Sequence, residues 1–466
     1  MTTEQELPKG WKIERLGDIA ISEKGKKPKN QSSEKTDTYC YPYVDIEAFE
    51  KGVIKSYTDG VKCVLCDEDD FLMVWDGSRS GLVGKGIKGA LGSTLVRISL
   101  PDINNLYAYY FLLSKYKEIN TRAKGSGTPH VDPDLLWNYA FPIPPNLETQ
   151  QAIVNKIESL FDEIDEGIGR LKTAAQQIQQ YRQSLLKNAF NGELTKEWRS
   201  KHADTLPSEN ELLAQIQTTR EQHHAQQLAD WQTAVSQWEQ NGKEGKKPSK
   251  PKAPTQAVKF EENFADLPSG WIWGKLSDLG ELARGKSKHR PRNDKKLFGG
   301  KYPFIQTGEV RAANRIIKKY EQTYSEFGLE QSKLWQKGTL CITIAANIAE
   351  TAFLGFDACF PDSIVGFSAS KAVLPEYIEL FIKSARTKIE SYAPATAQKN
   401  INLNTLENLI VPYCSLAEQT QIVAILESKL TACDQLAAEL AKQLKQAELL
   451  KQAVLKAAFS GNLLDK

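Results

Sequence analysis

Leu185-Leu186-Lys187-Asn188-Ala189-Phe190-Asn191-Gly192-Glu193-Leu194 recurs, in altered form, as Val454-Leu455-Lys456-Ala457-Ala458-Phe459-Ser460-Gly461-Asn462-Leu463, 269 residues later. Ile153-Val154 and Ile422-Val423 stand at the same offset, so the roughly 40 residues between the two landmarks carry no insertion in either copy. Within the first copy, Ile153, Ile157, Leu160, Ile164, Ile168, Leu171, Ala175, Ile178, Leu185 and Ala189 step by threes and fours, with one longer gap filled by Tyr181 or Arg182. Ile422, Leu426, Leu430, Cys433, Ala437, Leu440, Leu444, Ala447, Leu450 and Val454 repeat the pattern. This is the period of an amphipathic helix. About 40 residues make a rod of about 60 Å. A rod with one apolar stripe needs a partner to bury it. The duplication favours the two related stripes packing against each other over each lying on its own globular domain.

Working outward, the repeat extends toward the front of each copy, but its offset drifts. Leu7-Pro8-Lys9-Gly10-Trp11 and Leu16-Gly17-Asp18-Ile19 answer to Leu267-Pro268-Ser269-Gly270-Trp271 and Leu276-Ser277-Asp278-Leu279 at 260. Tyr41-Pro42-Tyr43 answers to Tyr302-Pro303-Phe304 at 261, and Tyr110–Ser114 to Leu380–Ser384 at 270. Loops absorb insertions and a packed helix seam does not. Each copy is therefore a variable globular domain followed by a helix of fixed length. In the globular parts, runs such as Phe71–Trp75 and Leu340–Ile344 alternate with turn residues, and the spacing predicts helices over Leu106–Lys117 and Glu376–Lys388. The expected class is α+β: two related globular domains at 1–146 and 261–412, followed by long helices at 147–195 and 413–466. Residues 196–260 are an insertion without a counterpart. In it, Ser208-Glu209-Asn210-Glu211 reads as a capping box opening a helix toward Trp238, and the Lys-, Gly- and Pro-rich run from Gly242 to Pro254 as a semi-extended, solvated tether, favoured over the alternative that its lysines touch phosphate.

Composition narrows the function classes. With 466 residues, 41% hydrophobic and 25% charged, the chain has ample core for globular domains. Lys and Arg total 60 against 58 Asp and Glu, a formal +2, so any nucleic-acid footprint must be a local patch. The polar stretch Met1–Glu6 lacks the apolar core of a secretory signal, and no apolar run reaches the roughly 18 residues of a membrane span. A cytoplasmic protein with no membrane partner is expected. Seven scattered cysteines suit reduced thiols. Cys63-Val64-Leu65-Cys66 lacks a second ligand pair for zinc, and the acidic run after it opposes a redox thiolate, so ordinary strand cysteines are expected.

Several strings imitate catalytic motifs. Gly280–Ser287 matches a phosphate-binding P-loop letter by letter, but Lys288-His289-Arg290-Pro291-Arg292 places four cations and a proline where the helix should start. Gly84–Gly89 fits GxGxxG yet reads as a loop between strands. The Asn/Asp-Pro-Pro-aromatic tetrapeptide of amino-methyltransferases is missing, and the five histidines show no metal spacing. No catalytic and no metal-binding residue is assigned, and no cofactor is expected on this chain.

What remains is charge that recurs. Lys24, Lys26, Lys27 and Lys29 follow the opening element of the first copy. Arg284, Lys286, Lys288, His289, Arg290, Arg292, Lys295 and Lys296 hold the same place in the second. Cations on Gly/Pro-containing loops suit phosphate contacts, and Arg can also read guanine edges. A solvated charged loop is the usual explanation of one such run; its recurrence favours DNA. Polar turns add Ser78, Arg79 and Ser80 in the first copy and Gln398, Lys399 and Asn400 in the second.

Taken in order, Leu-Pro-x-Gly-Trp with a following Leu-x-Asp, the Asp76-Gly77-Ser78 turn, Thr396-Ala397-Gln398-Lys399-Asn400-Ile401, then Pro412 and Glu418-Gln419 leading into a long helix that ends Ala458-Phe459-Ser460-Gly461, resemble the specificity subunit of type I restriction-modification systems. The resemblance covers nearly the whole chain except the insertion. Copy one departs from it, with Gly127-Thr128-Pro129-His130 for the Thr-Ala-Gln-like stretch and Thr149-Gln150 for Glu-Gln. The resemblance implies a non-catalytic, pseudo-two-fold symmetric subunit: two target-recognition domains, separated by an antiparallel coiled coil of the two long helices, each read half of a split, asymmetric double-stranded DNA target. It further implies two methyltransferase (modification) subunits using S-adenosylmethionine, and restriction/translocase subunits using ATP and Mg. Two competing readings are a stand-alone P-loop nucleotide-binding enzyme and a coiled-coil scaffold that reads no DNA.

Overall fold

The computed structural model describes residues 7–125, 127–245, 247–254, 266–393 and 400–464. The chain forms two compact units: residues 1–175 with 438–466, and residues 176–437. Each unit thus joins one globular domain to the start of one long helix and the end of the other.

The two globular domains share a plan. In the first, Lys12–Arg15 pairs antiparallel with Ala140–Ile143; in the second, Ile272–Lys275 pairs with Ile410–Tyr413. The main sheet of the first runs Ile21–Lys24, Leu95–Ser99, Phe71–Val74, Val83–Lys85. That of the second runs Gly280–Arg284, Ile364–Ala369, Leu340–Thr343, Thr351–Leu354, extended by Ile316–Ile317 in parallel. The repeat persists at single hydrogen bonds. Tyr107 and Tyr377, both fully buried, donate their hydroxyls to the carbonyls of Pro142 (2.9 Å) and Pro412 (2.7 Å). Gln150 and Gln419 each accept, through Oε1, a backbone N–H at a helix entrance, from Asn104 (2.8 Å) and Leu374 (2.9 Å). The domains differ in their outer parts. The first adds a sheet of five short strands; the second adds the pair Phe298–Phe304 and Gln322–Tyr324.

The helix expected over Leu106–Lys117 spans Asn105–Thr121, capped by the Asn104 side chain. Its counterpart is broken at Ala385 into Pro375–Ser384 and Arg386–Ser391. The inserted helix runs Glu209–Gln240 behind the capping box of Ser208 and Glu211. The tether after it is corrected by the structure, because its described residues fold back on that helix. Trp231 Nε1 donates to the Pro248 carbonyl (3.1 Å) and Trp238 Nε1 to that of Gly245 (3.3 Å). Proline-rich backbone has carbonyls without internal donors, and the two indoles, seven residues apart on one helix face, supply them.

The long helices span Leu147–Phe190 and Leu416–Phe459, 44 residues each. Asn146 and Ser415 cap them, accepting from the N–H groups of Thr149 (2.8 Å) and Glu418 (3.2 Å). In the first unit, Ile153, Val154 and Ile157 from one helix start share a core with Val454, Leu455 and Ala458 from the other helix end. In the second unit, Leu185, Ala189 and Phe190 share one with Ile422, Leu426 and Cys433. Start meets end in both, so the helices are antiparallel. Phe459 sits edge-on to Tyr107 and Phe111 (5.2 and 5.3 Å between centroids), as Phe190 does to Tyr377 and Phe381 (5.2 and 5.3 Å).

The structure decides the longer gap in the stripe. Arg182 turns inward and pairs with Asp434, while Tyr181 is exposed. In the second helix Leu450, read as a stripe position, is 53% exposed, and Lys451 takes its place. The Lys451 ammonium lies 2.6 Å from Asp165 Oδ2 and 4.9 Å from the centre of the Phe161 ring. Residues 182 and 451, and 165 and 434, are each 269 apart, so these two ion pairs are the same interaction in the two copies. Long aliphatic stems let Arg and Lys fill an apolar slot while the charged head reaches a carboxylate.

Glu418 has no such twin, since copy one has Thr149 there. It is 1% exposed and accepts from Thr195 Oγ1 (2.7 Å), Arg199 Nε (2.9 Å) and Trp271 Nε1 (2.9 Å). Removing one partner of a buried pair leaves the other uncompensated, at about 3–5 kcal/mol. Glu418→Ala is expected to destabilise the second unit by about that amount. Hydrogen exchange should quicken in peptides around Trp271 and Arg199 and stay unchanged around Tyr107; equal protection in both units would refute it.

Candidate nucleic-acid interface

Both basic loops leave their sheet at equivalent points, and a glycine makes each exit possible. Gly25 N–H donates to Leu95 O and Gly285 N–H to Ile364 O, both at 2.9 Å. A Cβ at Gly25 would stand 2.2 Å from the Gly92 carbonyl oxygen; at Gly285 it would stand 2.2 Å from that of Phe360. Only glycine tolerates backbone this close. Lys24 and Arg284 therefore close the edge strand of each sheet, and Lys26 and Lys286 open each loop.

In the first loop the Lys26 N–H donates to the Leu91 carbonyl (3.1 Å) and Asn30 Nδ2 donates to Asp59 Oδ2 (2.9 Å). Lys24 Nζ lies 2.7 Å from Asp76 Oδ2. Lys26, Lys27 and Lys29 are exposed and have no ion-pair partner among the described residues. The second loop is pinned. Arg284 Nε donates to the Asp362 carbonyl (3.0 Å), and Arg292 Nη2 contacts both carboxylate oxygens of Asp362 (3.1 and 2.9 Å). Arg290 Nη1 donates to the carbonyls of Ser287 (2.7 Å) and His289 (2.8 Å). Among the described residues, Lys286 and Lys288 are tied through their backbones, to Ser332 Oγ and the Gln331 carbonyl, and both side chains are exposed. His289 Nε2 lies 2.8 Å from Asp294 Oδ2, and Lys295 and Lys296 are exposed. The Lys296 backbone N–H and the His289 ring hold the Asp294 carboxyl below its ordinary range.

Beside the first loop lies the Asp76–Ser80 turn. Gly77 N–H donates to the Pro129 carbonyl (2.7 Å), and Asn120 Nδ2 donates to the carbonyls of Ser78 and Ser80 (3.0 Å each). Ser78 is exposed, and exposed Arg79 pairs with Glu50 at 2.7 Å. Ser80 is fully buried, its hydroxyl without a partner among the described residues. An isolated β-bridge joins Asp76 to His130, as another joins Ala345 to Asn400, and Val131 and Ile401 donate to the carbonyls of Trp75 and Ile344 at 2.9 Å. The Gly127–His130 stretch therefore ends where the Thr396–Asn400 stretch ends. Asn400 is exposed; Gln398 and Lys399 lie outside the described residues.

The roles of three side chains escaped the sequence reading. Asp76 and Asp362 orient the cations, yet nothing local to either aspartate signals a loop 52 or 70 residues away. Lys333, 3.8 Å from the centre of the Trp335 ring, sits near Glu281 and Lys286, and burial pulls its ammonium pKa down. The P-loop imitation is a strand, Gly280–Arg284, with no helix starting at Lys286. Burial pushes the Cys66 thiol up to about 11, the reverse of an activated cysteine.

The family model for the type I restriction modification DNA specificity domain matches residues 8–172 and 268–446. The type I restriction enzyme MjaVIII specificity subunit of Methanocaldococcus jannaschii is 33% identical over 40% of this chain and 43% of its own length. The EcoKI specificity subunit of Escherichia coli K12 is 24% identical over 76% and 65% respectively. These matches span less than two thirds of either relative. The EcoDI specificity subunit of Escherichia coli is 22% identical over 98% of this chain and 89% of its own. A solved chain from work on complex assembly and conformational transition of the type I R-M system superposes with a TM-score of 0.67 at 18% identity, covering 98% of this chain and 99% of that one. The HsdS subunit from Thermoanaerobacter tengcongensis gives 0.53 at 17%, covering 99% and 100%.

The pinning of the second loop is testable. Asp362→Ala is expected to free Arg292, raising amide exchange across 284–296 at least several-fold. An exposed pair contributes only about 0–1 kcal/mol, so global stability should hardly move. Unchanged exchange in that loop would show that Asp362 does not hold it.

Proposed function

Because this chain belongs to the type I restriction modification DNA specificity domain family, we propose that it reads a bipartite, asymmetric double-stranded DNA target, one half per globular domain. On this reading the long helices set the distance between the halves, and partner subunits perform the methylation or restriction. The carrying observation is the recurrence of a glycine-rooted basic loop at the same sheet edge of two related domains whose outer parts differ. Equivalent placement lets both loops face duplex DNA, and different surroundings let them read different bases.

In this reading Lys26, Lys27, Lys29, Lys286 and Lys288, with exposed ammonium groups, bind phosphates. Arg284, Arg290 and Arg292, held in defined orientations, suit guanine O6 and N7. Lys24, Ser78, Arg79 and Asn400 flank these contacts, with Gln398 and Lys399 beside Asn400 in sequence. Ser80 faces inward and would act by shaping the turn. The chain would carry no catalytic residue. Two methyltransferase subunits would supply S-adenosylmethionine chemistry, and restriction/translocase subunits would use ATP and Mg. The complex would work in the cytoplasm of a bacterial or archaeal cell. No helix among the described residues is long and apolar enough to cross a membrane.

Two measurements test this. Lys26→Ala or Lys286→Ala should weaken duplex binding and flatten the dependence of log K on log salt by about 0.9 for each phosphate no longer neutralised; a coiled-coil scaffold would show no change. Adding one heptad to both long helices should lengthen the gap between methylated half-sites by about three base pairs, since seven residues rise about 10 Å and base pairs are ~3.4 Å apart. Methylome sequencing reads the gap directly, and an unaltered one would sink the spacer role.

A further inference from the structure

The insertion after the first long helix has no equivalent in the other copy, and its helix packs into the second unit. Leu212 and Ile216 of the helix Glu209–Gln240 are buried in the core of that unit. One turn on, Arg220 meets Asp278 at 3.0 Å, both side chains nearly buried. His223 Nδ1 then lies 3.6 Å from Glu281 Oε1, and the Gln227 amide donates to the same carboxylate. These contacts advance in the same order along both segments, and Glu281 precedes Arg284, the root of the basic loop, by three residues. The helix thus runs toward the loop. Leu228–Gln240 carry it about 20 Å beyond the last of these contacts.

The segment that folds back along this outer helix is strongly basic. Residues 241–254 hold five lysines and one carboxylate, Glu244. Lys243, Lys247, Lys250 and Lys252 are exposed, and none has an ion-pair partner among the described residues. Two of them rest against the indoles that pin the backbone: Lys247 lies 5.9 Å from the Trp238 ring centre and Lys250 5.8 Å from that of Trp231. A free tether would have to order its lysines on meeting a ligand. Here tryptophan hydrogen bonds have fixed the backbone in advance, which lowers the entropy cost of binding.

We propose that the outer part of the inserted helix and the lysine segment folded on it form an arm that binds the phosphate backbone of duplex DNA beside the second basic loop. This rests on the DNA-reading function proposed above and extends it to a third, sequence-independent contact. A row of ammonium groups without ion-pair partners among the described residues, in a segment that holds no arginine, suits phosphates rather than base edges.

The test uses the full chain assembled with its methyltransferase subunit, and a duplex carrying its methylated target. In K243Q/K247Q/K250Q/K252Q the slope of log K against log salt should become less negative by about 2–4 units, at about 0.9 for each phosphate neutralised, with the methylated sequence unchanged. W231F/W238F, which keeps every lysine but removes both indole donors, should weaken binding by a smaller factor. A wild-type slope in the quadruple variant overturns the arm. So does reduced recovery of the methyltransferase subunit at an unchanged slope, which would make this an acidic-protein surface. If Lys26→Ala and Lys286→Ala flatten the slope while the quadruple variant does not, the arm alone falls. If the wild-type complex binds no duplex, the DNA reading falls with it.

Discussion

A 44-residue helix with one apolar stripe cannot keep that stripe in water, and the rest of the structure answers to this. Each long helix anchors its final turn by a phenylalanine, Phe190 or Phe459, set edge-on against two aromatic rings of a globular domain. The domain so reached is not the one preceding the helix in sequence. Phe190 ends the helix that follows the first domain but packs in the second unit; Phe459 ends the helix that follows the second and packs in the first. The crossed arrangement extends to the chain beyond each helix. Gly192 and Gly461, both at positive φ, bring the backbone so close to Pro268 and Pro8 that a Cβ would meet the proline ring at 2.2–2.3 Å. Burial of these ends, with the several kcal/mol that large aromatic side chains contribute, joins domain to helix in each unit.

Charge has a different task. Inside the stripe, Arg182 with Asp434 and Lys451 with Asp165 occupy matching slots of the two copies. Apolar side chains alone would tolerate sliding by one heptad. A cation that must find its carboxylate does not, and polar groups in a seam are best attested in fixing register. At the sheet edges, the two basic loops start from the same glycine-enforced exit but are held differently: Asp362 clasps Arg292 within the second, whereas the first is held by Asp76 at Lys24, by the Leu91 carbonyl at the Lys26 N–H and by Asp59 at Asn30. A phosphate-binding lysine can remain mobile, whereas an arginine that reads a base edge benefits from being aimed.

Much was legible in the chain itself. The constant 269-residue offset over the stripes, against a drifting offset in front, revealed both the duplicated domain and the pairing of the two long helices. Insertions cannot be absorbed where every third or fourth residue is buried. Tyr107, Tyr377, Phe190 and Phe459 all fall at repeat-related positions, so their shared roles follow from the duplication. The charged stripe positions were hidden because periodicity counts apolar residues. Leu450 fits the spacing better than Lys451, yet the lysine packs its stem on Phe161 and leaves Leu450 in water.

The sequence by itself determined the elements, their doubling and the recurrence of basic loops, because periodicity, glycine and local charge are properties of neighbouring residues. Only the tertiary structure decided which carboxylates hold those loops, that Ser80 points inward, and that the lysine-rich segment lies folded on its helix instead of spanning free. Each of these depends on a group well separated along the chain meeting its partner. Such meetings are governed by how surfaces pack, which no local pattern encodes.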